Sequence, residues 1–358
     1  MMVTNIAKRV SLGVAMLAAS AFSASAQYDA PAGDVVGGEV SQQVSSQVAG
    51  TLAAGIGGGG GGYTGGGGGG GLFGPGAGGT TTSAVPVTSY FEGGNRGQSA
   101  GAGDKKLGAW VLGSFSDIEN EFINTKYDGN IIAFVGGADY RVTNRIVAGA
   151  ALSYEDVDID TTFNNGTIET SGIGIAPYAV FKLNDKVTAD VSGSYTMLET
   201  DTTRTGGAVT GSFDGTRYTA GGNLNIGHSV KKVFMSASAG FLYIKENQDA
   251  YTESNGTFIL ENDISIGQAR LSGTVGYNFG KFQPFLTAQV QHELWAPSAA
   301  VLGGGLASPS EDTTGYVVGG GINFDISDSI SGTIAANSTE GREDFSLYSV
   351  SGRVRVRF

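Results

Sequence analysis

The final stretch of the chain constrains the fold most. Val350, Gly352, Val354, Val356 and Phe358 alternate with Ser351, Arg353, Arg355 and Arg357. Successive side chains of a β-strand point to opposite faces, so this strand carries an apolar face and a strongly basic one. In a soluble domain the basic face would meet water and the apolar face a core. In a transmembrane barrel the apolar face turns outward to lipid and the charged face inward to a wet lumen. The choice between the two readings governs every other residue.

The N-terminus bears on compartment. Lys8 and Arg9 precede an apolar run over residues 10–19, followed by Ala24-Ser25-Ala26. This is the pattern of a secretory signal peptide over residues 1–26, cleaved between Ala26 and Gln27, with Ala24 and Ala26 as the small residues of the site. No stretch of the chain approaches the ~18 consecutive apolar residues of a spanning helix. Membrane insertion would therefore be by closed barrel, the other structure that satisfies its backbone in lipid.

Composition removes several function classes. The chain has no cysteine, which excludes a disulfide scaffold and thiolate chemistry. Its net charge of −12 argues against nucleic acid as a partner, since phosphate contact needs a basic surface. The 61 glycines have two sources. Residues 27–106 form a low-complexity segment containing the glycine tracts 57–62 and 65–71, interrupted by Tyr63 and Thr64. Glycine has the most backbone entropy to lose and nothing to bury, so this segment reads as a linker or a short passenger. No strand leads into the tract and no Lys-Ser/Thr follows it, which removes a nucleotide loop. Weak helical character is confined to residues 35–48.

From Leu107 onward the pattern has period two. Val187, Ala189, Val191, Gly193, Tyr195 and Met197 alternate with Thr188, Asp190, Ser192, Ser194 and Thr196. About twelve such runs follow one another to Phe358. Short turns are expected at 142–144, 183–185, 228–232, 280–281 and 326–328, and long polar loops at 116–128, 158–170, 200–215, 247–263 and 295–313. Segregation of long and short connections is the outer-membrane layout.

Aromatic residues fall at both ends of the apolar face. Tyr140, Phe181, Phe279, Phe282, Phe324 and Phe358 lie near the short turns; Tyr154, Tyr195, Tyr218, Tyr243, Tyr316 and Tyr348 lie near the long loops. Two such girdles match the two membrane interfaces. The opposite face is small and polar, with Asp139, Asp190, Arg217, Arg270, Arg353, Arg355 and Arg357 expected to line the lumen and pair across it. The long loops are acidic, through Asp117, Glu119, Glu121, Asp156, Asp158, Asp160, Asp249, Glu253, Glu311 and Asp312; the short-turn side is rich in lysine and arginine. The fold class is therefore all-β, a twelve-stranded antiparallel transmembrane barrel over residues 107–358.

Residues 107–358 resemble the β-domain of bacterial autotransporters (type V secretion). Trp110, the run Gly137-Ala138-Asp139-Tyr140-Arg141, the run from Val147 to Tyr154, residues 172–178, Pro284 and the terminal Arg355-Val356-Arg357-Phe358 carry the resemblance. It implies that the last strand, through Tyr348, Val350, Val354, Val356 and Phe358, is read by the outer-membrane assembly machinery. The chain departs from the family in residues 88–106, whose five glycines make a poor pore helix.

No catalytic constellation is legible. The only histidines, His228 and His292, fall at opposite ends of the barrel, and His292 is in phase with the lipid face. Asp156, Asp158 and Asp160 share a strand face but lack the glycine and distal glutamate of a calcium loop, so neither metal nor cofactor is expected. The sequence thus describes a non-enzymatic outer-membrane anchor that presents or translocates its Gly-rich segment. Its partners are lipid and lipopolysaccharide, with a host or other surface ligand at the acidic loops. The alternative is a porin-like passive channel with the N-terminal segment periplasmic or plugging the lumen.

Overall fold

In the computed structural model the described residues are 106–122, 126–295, 313–327, 329–342 and 345–358. Residues 1–105, with the cleavage site at Ala24, Ala26 and Gln27, the Gly-rich tracts and the helical stretch 35–48, lie outside them, as do Glu311 and Asp312. The described elements are β1 (Leu107–Asn120), β2 (Tyr127–Thr143), β3 (Ile146–Thr161), β4 (Gly166–Lys182), β5 (Val187–Arg204), β6 (Val209–Val230), β7 (Val233–Gln248), β8 (Tyr251–Thr252), β9 (Phe258–Ile259), β10 (Asn262–Tyr277), β11 (Phe282–Trp295), β12 (Thr314–Asp325), β13 (Ile330–Arg342) and β14 (Phe345–Arg357).

Twelve strands close a barrel, each hydrogen-bonded to its sequence neighbours, while β8 and β9 form a separate hairpin between β7 and β10. Closure is made by β1 against β14, with Ala109 opposite Val356 and Ser114 opposite Ser351. The Phe358 amide donates to the Leu107 carbonyl at 2.9 Å, so both ends of the barrel domain meet at the short-turn face. No helix among the described residues is long and apolar enough to cross a membrane. The spanning elements are strands, paired around a closed barrel.

The two faces separate as period two requires. Arg353 and Arg355 of β14 are buried inside, and Tyr348, Val350, Val354 and Phe358 are exposed outside, with Val356 half-buried in the same phase. Exposed large apolar residues of the barrel strands, such as Val111, Phe134, Leu286 and Ile334, belong to the outward phase. A soluble sandwich would bury that set, so the burial pattern itself rules one out.

Three expected loops are largely strand. The segment 158–170 belongs to β3 and β4 and turns only over residues 162–165, where Asn165 takes a positive φ of 50°. The segment 200–215 belongs to β5 and β6 around a turn at Thr205, Gly206 and Gly207, and 116–128 is mostly β1 and the start of β2. The two turns bond each other: Thr205 N donates to Asn164 O at 2.9 Å and Gly206 N to Asn165 O at 2.7 Å. On this side of the barrel the wall stands high above the girdle. Nine residues separate Tyr195 from Arg204 at the tip of β5, about 30 Å of extended chain. On β12 only Gly315 and Thr314 lie beyond Tyr316.

Above the girdle the polarity of the faces inverts. Asp156, Asp158 and Asp160 of β3 are exposed outward, while Val157 and Ile159 are buried inward. These two pack with Ile118, Tyr127, Ile131, Ala133, Phe163, Ile168, Phe345 and Leu347 in one apolar cluster. Leu242, Ile244, Ile264 and Ile266 form another on β7 and β10. The expectation that the inner face is mostly small and polar does not extend above the girdle: water surrounds the extended wall outside, so the greasy side of β3 turns in, as in a soluble domain.

Candidate functional site: the lumen and its outer mouth

At the short-turn end the lumen is organised by one buried ion pair. Arg355 Nη2 on β14 lies 2.6 Å from both carboxylate oxygens of Asp139 on β2, reaching over β1. The residue between them is Gly108; a Cβ there would sit 2.6 Å from Arg355 Nη2 and 2.7 Å from Asp139 Oδ1. The bridge exists because that position has no side chain. Tyr178 Oη donates to Asp139 Oδ2 at 3.0 Å, and Trp110 Nε1 donates to Tyr178 Oη at 2.9 Å. Trp110 and Tyr178 belong to an apolar patch on the inner wall of β1–β4, with Leu112, Val135, Val147, Ala151, Ala176 and Val180.

The other expected lumen residues also face inward, with different partners. Asp190 accepts from Asn223 Nδ2 at 2.8 Å and Asn225 Nδ2 at 2.9 Å on neighbouring β6. Arg270 donates through Nε to Gln268 Oε1 at 2.8 Å, beside the inward Gln289 and Gln291 of β11. Arg353 Nη2 donates to Thr333 Oγ1 at 3.1 Å. Arg357 is half-buried at the mouth. Arg217 of β6 bridges two carboxylates, Glu155 of β3 through Nη1 at 2.5 Å and Glu246 of β7 through Nε at 2.8 Å. Asp139 and Arg355 thus pair over one intervening strand, and Arg217 reaches Glu155 over two.

Sequence reasoning missed Glu155, Glu246, Arg204 and Glu253. Glu155 follows Ser153 in the inward phase of β3 and precedes Val157, so parity alone would have placed it inside. Glu253 belongs to the segment expected as a long acidic loop, 247–263. It is buried, and it receives Arg204 Nε at 2.9 Å and Nη2 at 2.6 Å. Arg204 is the inward residue at the tip of β5, so the β8–β9 hairpin folds over the lumen side of the wall. Tyr251 stacks on the inward Phe213 with ring centroids 4.9 Å apart, and Ser254 and Thr210 exchange two hydrogen bonds.

The remaining residues singled out lie outside the lumen. His228 and His292 both face outward; His292 Nδ1 is 2.9 Å from Thr314 Oγ1. Among the described residues no group of three or more His, Asp or Glu side chains gathers closely enough to hold a metal ion. The outer acidic residues stand on adjoining strands in register: Glu119 beside Asp128, Asp128 beside Asp160, and Asp158 beside Glu169, which faces Asp201. Partial burial, and then the facing Asp160, push the Asp128 carboxyl above its ordinary range, against the opposing pull of Lys126.

A closed antiparallel barrel with an apolar outer band, aromatic girdles and an ion-paired lumen defines a bacterial outer-membrane β-barrel. Residues 109–337 match the model of the autotransporter β-domain. The chain belongs to that family. It is similar in fold to the translocator domain of the autotransporter NalP from Neisseria meningitidis, at 17% identity and a TM-score of 0.61, covering 72% of this chain and 90% of that one. It is also similar to the β-domain of the Bordetella autotransporter BrkA, at 15% identity and a TM-score of 0.58, covering 71% of this chain and 100% of that one. The transport unit of AIDA-I from Escherichia coli gives 13% identity and a TM-score of 0.52, covering 73% and 93%. No curated protein sequence matches the chain.

Proposed function

We propose that the barrel anchors residues 27–106 in the outer membrane and displays them on the cell surface, with no chemical reaction of its own. The observation that carries this reading is the meeting of Leu107 and Phe358 at the short-turn face. The segment ahead of Leu107 therefore reaches the barrel at the mouth of the lumen, next to the Asp139–Arg355 pair. Passage through the lumen to the opposite end is the route for this glycine-rich chain, which is small and low in charge. The export pattern of residues 1–26 supports delivery to this membrane. The outward aromatic and valine side chains of the last strand, Tyr348, Val350, Val354, Val356 and Phe358, support recognition by the assembly machinery. The exposed acidic wall of β1–β6 would face the outside, towards lipopolysaccharide and any surface ligand.

The test is an epitope inserted near Tyr63, followed by protease treatment of intact cells. Loss of the epitope is the expected result. An epitope that survives in whole cells and disappears only after the outer membrane is breached overturns display.

A further inference from the structure

The β8–β9 hairpin has more fastening than a loop of its size needs. Its Glu253 carboxylate and the Arg204 guanidinium form a two-point ion pair in which both side chains are more than nine-tenths buried. Beside it Tyr251 covers Gly211 and stacks on Phe213; a Cβ at Gly211 would lie 2.4 Å from the tyrosine ring. Thr210 N donates to Ser254 Oγ at 3.0 Å, and Ser254 N donates to Thr210 O at 2.8 Å. The hairpin closes on itself through Glu253 N to Thr257 O at 2.9 Å and a turn at Gly256 with φ of 88°. All of these fastenings are on one side, to the tips of β5 and β6. The two connections to the barrel, residues 249–250 and 260–261, lie outside the strands; Asp249 N donates to Asp214 O of β6 at 2.9 Å, and Leu260 in the second is 72% exposed.

A hairpin on two short connections, fastened on one side only, can hinge on them once those fastenings release. Arg204, Gly211 and Phe213 face inward, whereas the exposed Thr210 bonds through its backbone, so release frees the hairpin from the lumen side of the wall. We propose that the β8–β9 hairpin is a gate on the outer mouth of the lumen, latched by Arg204 and Glu253, and that it swings outward for polypeptide or ions to pass. A buried, doubly bonded ion pair suits such a latch. It is stable while dry and loses its advantage once water reaches either partner. The apolar clusters around Phe163 and around Ile264 flank the same mouth and would exclude water from the closed state.

The experiment uses the purified full-length protein in planar lipid bilayers. Arg204→Gln combined with Glu253→Gln removes the latch without leaving a lone buried charge. The expected result is an open probability at least about tenfold above the parent protein. Because the chain has no cysteine, Thr210→Cys together with Ser254→Cys can be added as the only thiols. Oxidation of that pair should return the conductance of the latch variant to the parent level, and reductant should restore it. Conductance unchanged by removing the latch overturns the gate. Raised conductance that the disulfide fails to suppress also overturns it, because the leak then runs elsewhere. Resistance to protease in detergent checks folding. The gate is independent of display: a latch that controls conductance beside a protected Tyr63 epitope sinks display alone.

Discussion

Asp139 and Arg355 join strands that are not neighbours, meeting 2.6 Å apart above the backbone of Gly108. The pair bolts β2 to β14 over β1, the strand at which the barrel closes on itself. Breaking it by Asp139→Asn leaves a buried guanidinium without its counter-charge, which costs roughly 3–5 kcal/mol. Gly108→Leu should do similar damage while leaving both charges in place, since its side chain would occupy the space of the bridge. The urea midpoint in detergent, followed by tryptophan fluorescence, reads both variants. Wild-type midpoints for both would show that the seam does not depend on this bridge.

Arg217 serves two carboxylates, so its loss should exceed the loss of either partner. Arg217→Met strands Glu155 and Glu246 together in a buried site, whereas Glu246→Gln keeps the Glu155 pair. The order of midpoints is expected to be parent, then Glu246→Gln, then Arg217→Met, with the last lowered by at least about 3 kcal/mol. Equal effects from both variants would mean that the two pairs act as one unit.

The two tryptophans report on sidedness. Trp110 is buried on the inner wall and Trp295 is 45% exposed on the outside near the outer girdle. With Trp110→Phe and Trp295→Phe giving single-tryptophan proteins, brominated acyl chains should quench Trp295 strongly and Trp110 hardly at all. Strong quenching of Trp110 would place the inner face against lipid and overturn the orientation.

Outside the membrane, Asp128 carries a destabilising charge. Burial and the facing Asp160 raise its folded pKa above the unfolded value, so the folded state binds the proton more tightly. The penalty is therefore present at neutral pH and is relieved as pH falls through the raised value. Asp128→Asn should stabilise the protein slightly at pH 7, by at most about 1 kcal/mol after solvent screening. The advantage should vanish once the pH drops below the ordinary carboxylate range. Urea midpoints of the two proteins across pH 3–8 give the comparison; an advantage that grows on acidification would reverse the assignment.

The membrane-embedded part of the fold was legible because lipid and lumen impose opposite demands on alternate residues. Arg353, Arg355 and Val354 declare their faces in six letters, and the tyrosines mark where the band ends. The high wall of β3–β6 was not, because above Tyr154 the alternation of β3 continues with its meaning reversed. Asp158 and Asp160 looked like loop residues when their Val157 and Ile159 neighbours already held the strand. The chain does turn at Asn165-Gly166 and at Asn255-Gly256, where Asn165 and Gly256 take positive φ, but the first turn stands farther from the girdle than the loop 158–170 implies. Partners across the lumen were harder. Inward-facing arginines could be read from parity, but Glu155 and Glu253 are 62 and 49 residues from the cations they meet. Local sequence carries no record of such a meeting.

The reversal of polarity along β3 has a mechanical consequence. A cylinder that is greasy to the end could drift along the bilayer normal or tilt to suit the local thickness. This one has a carboxylate, Asp156, two positions beyond the tyrosine ring of Tyr154, whose hydroxyl donates to it at 3.0 Å. Any inward slip would drag that row of anions among acyl chains. Depth of immersion is thus pinned by a single step in the sequence, and the cylinder keeps one height whatever load its tail carries.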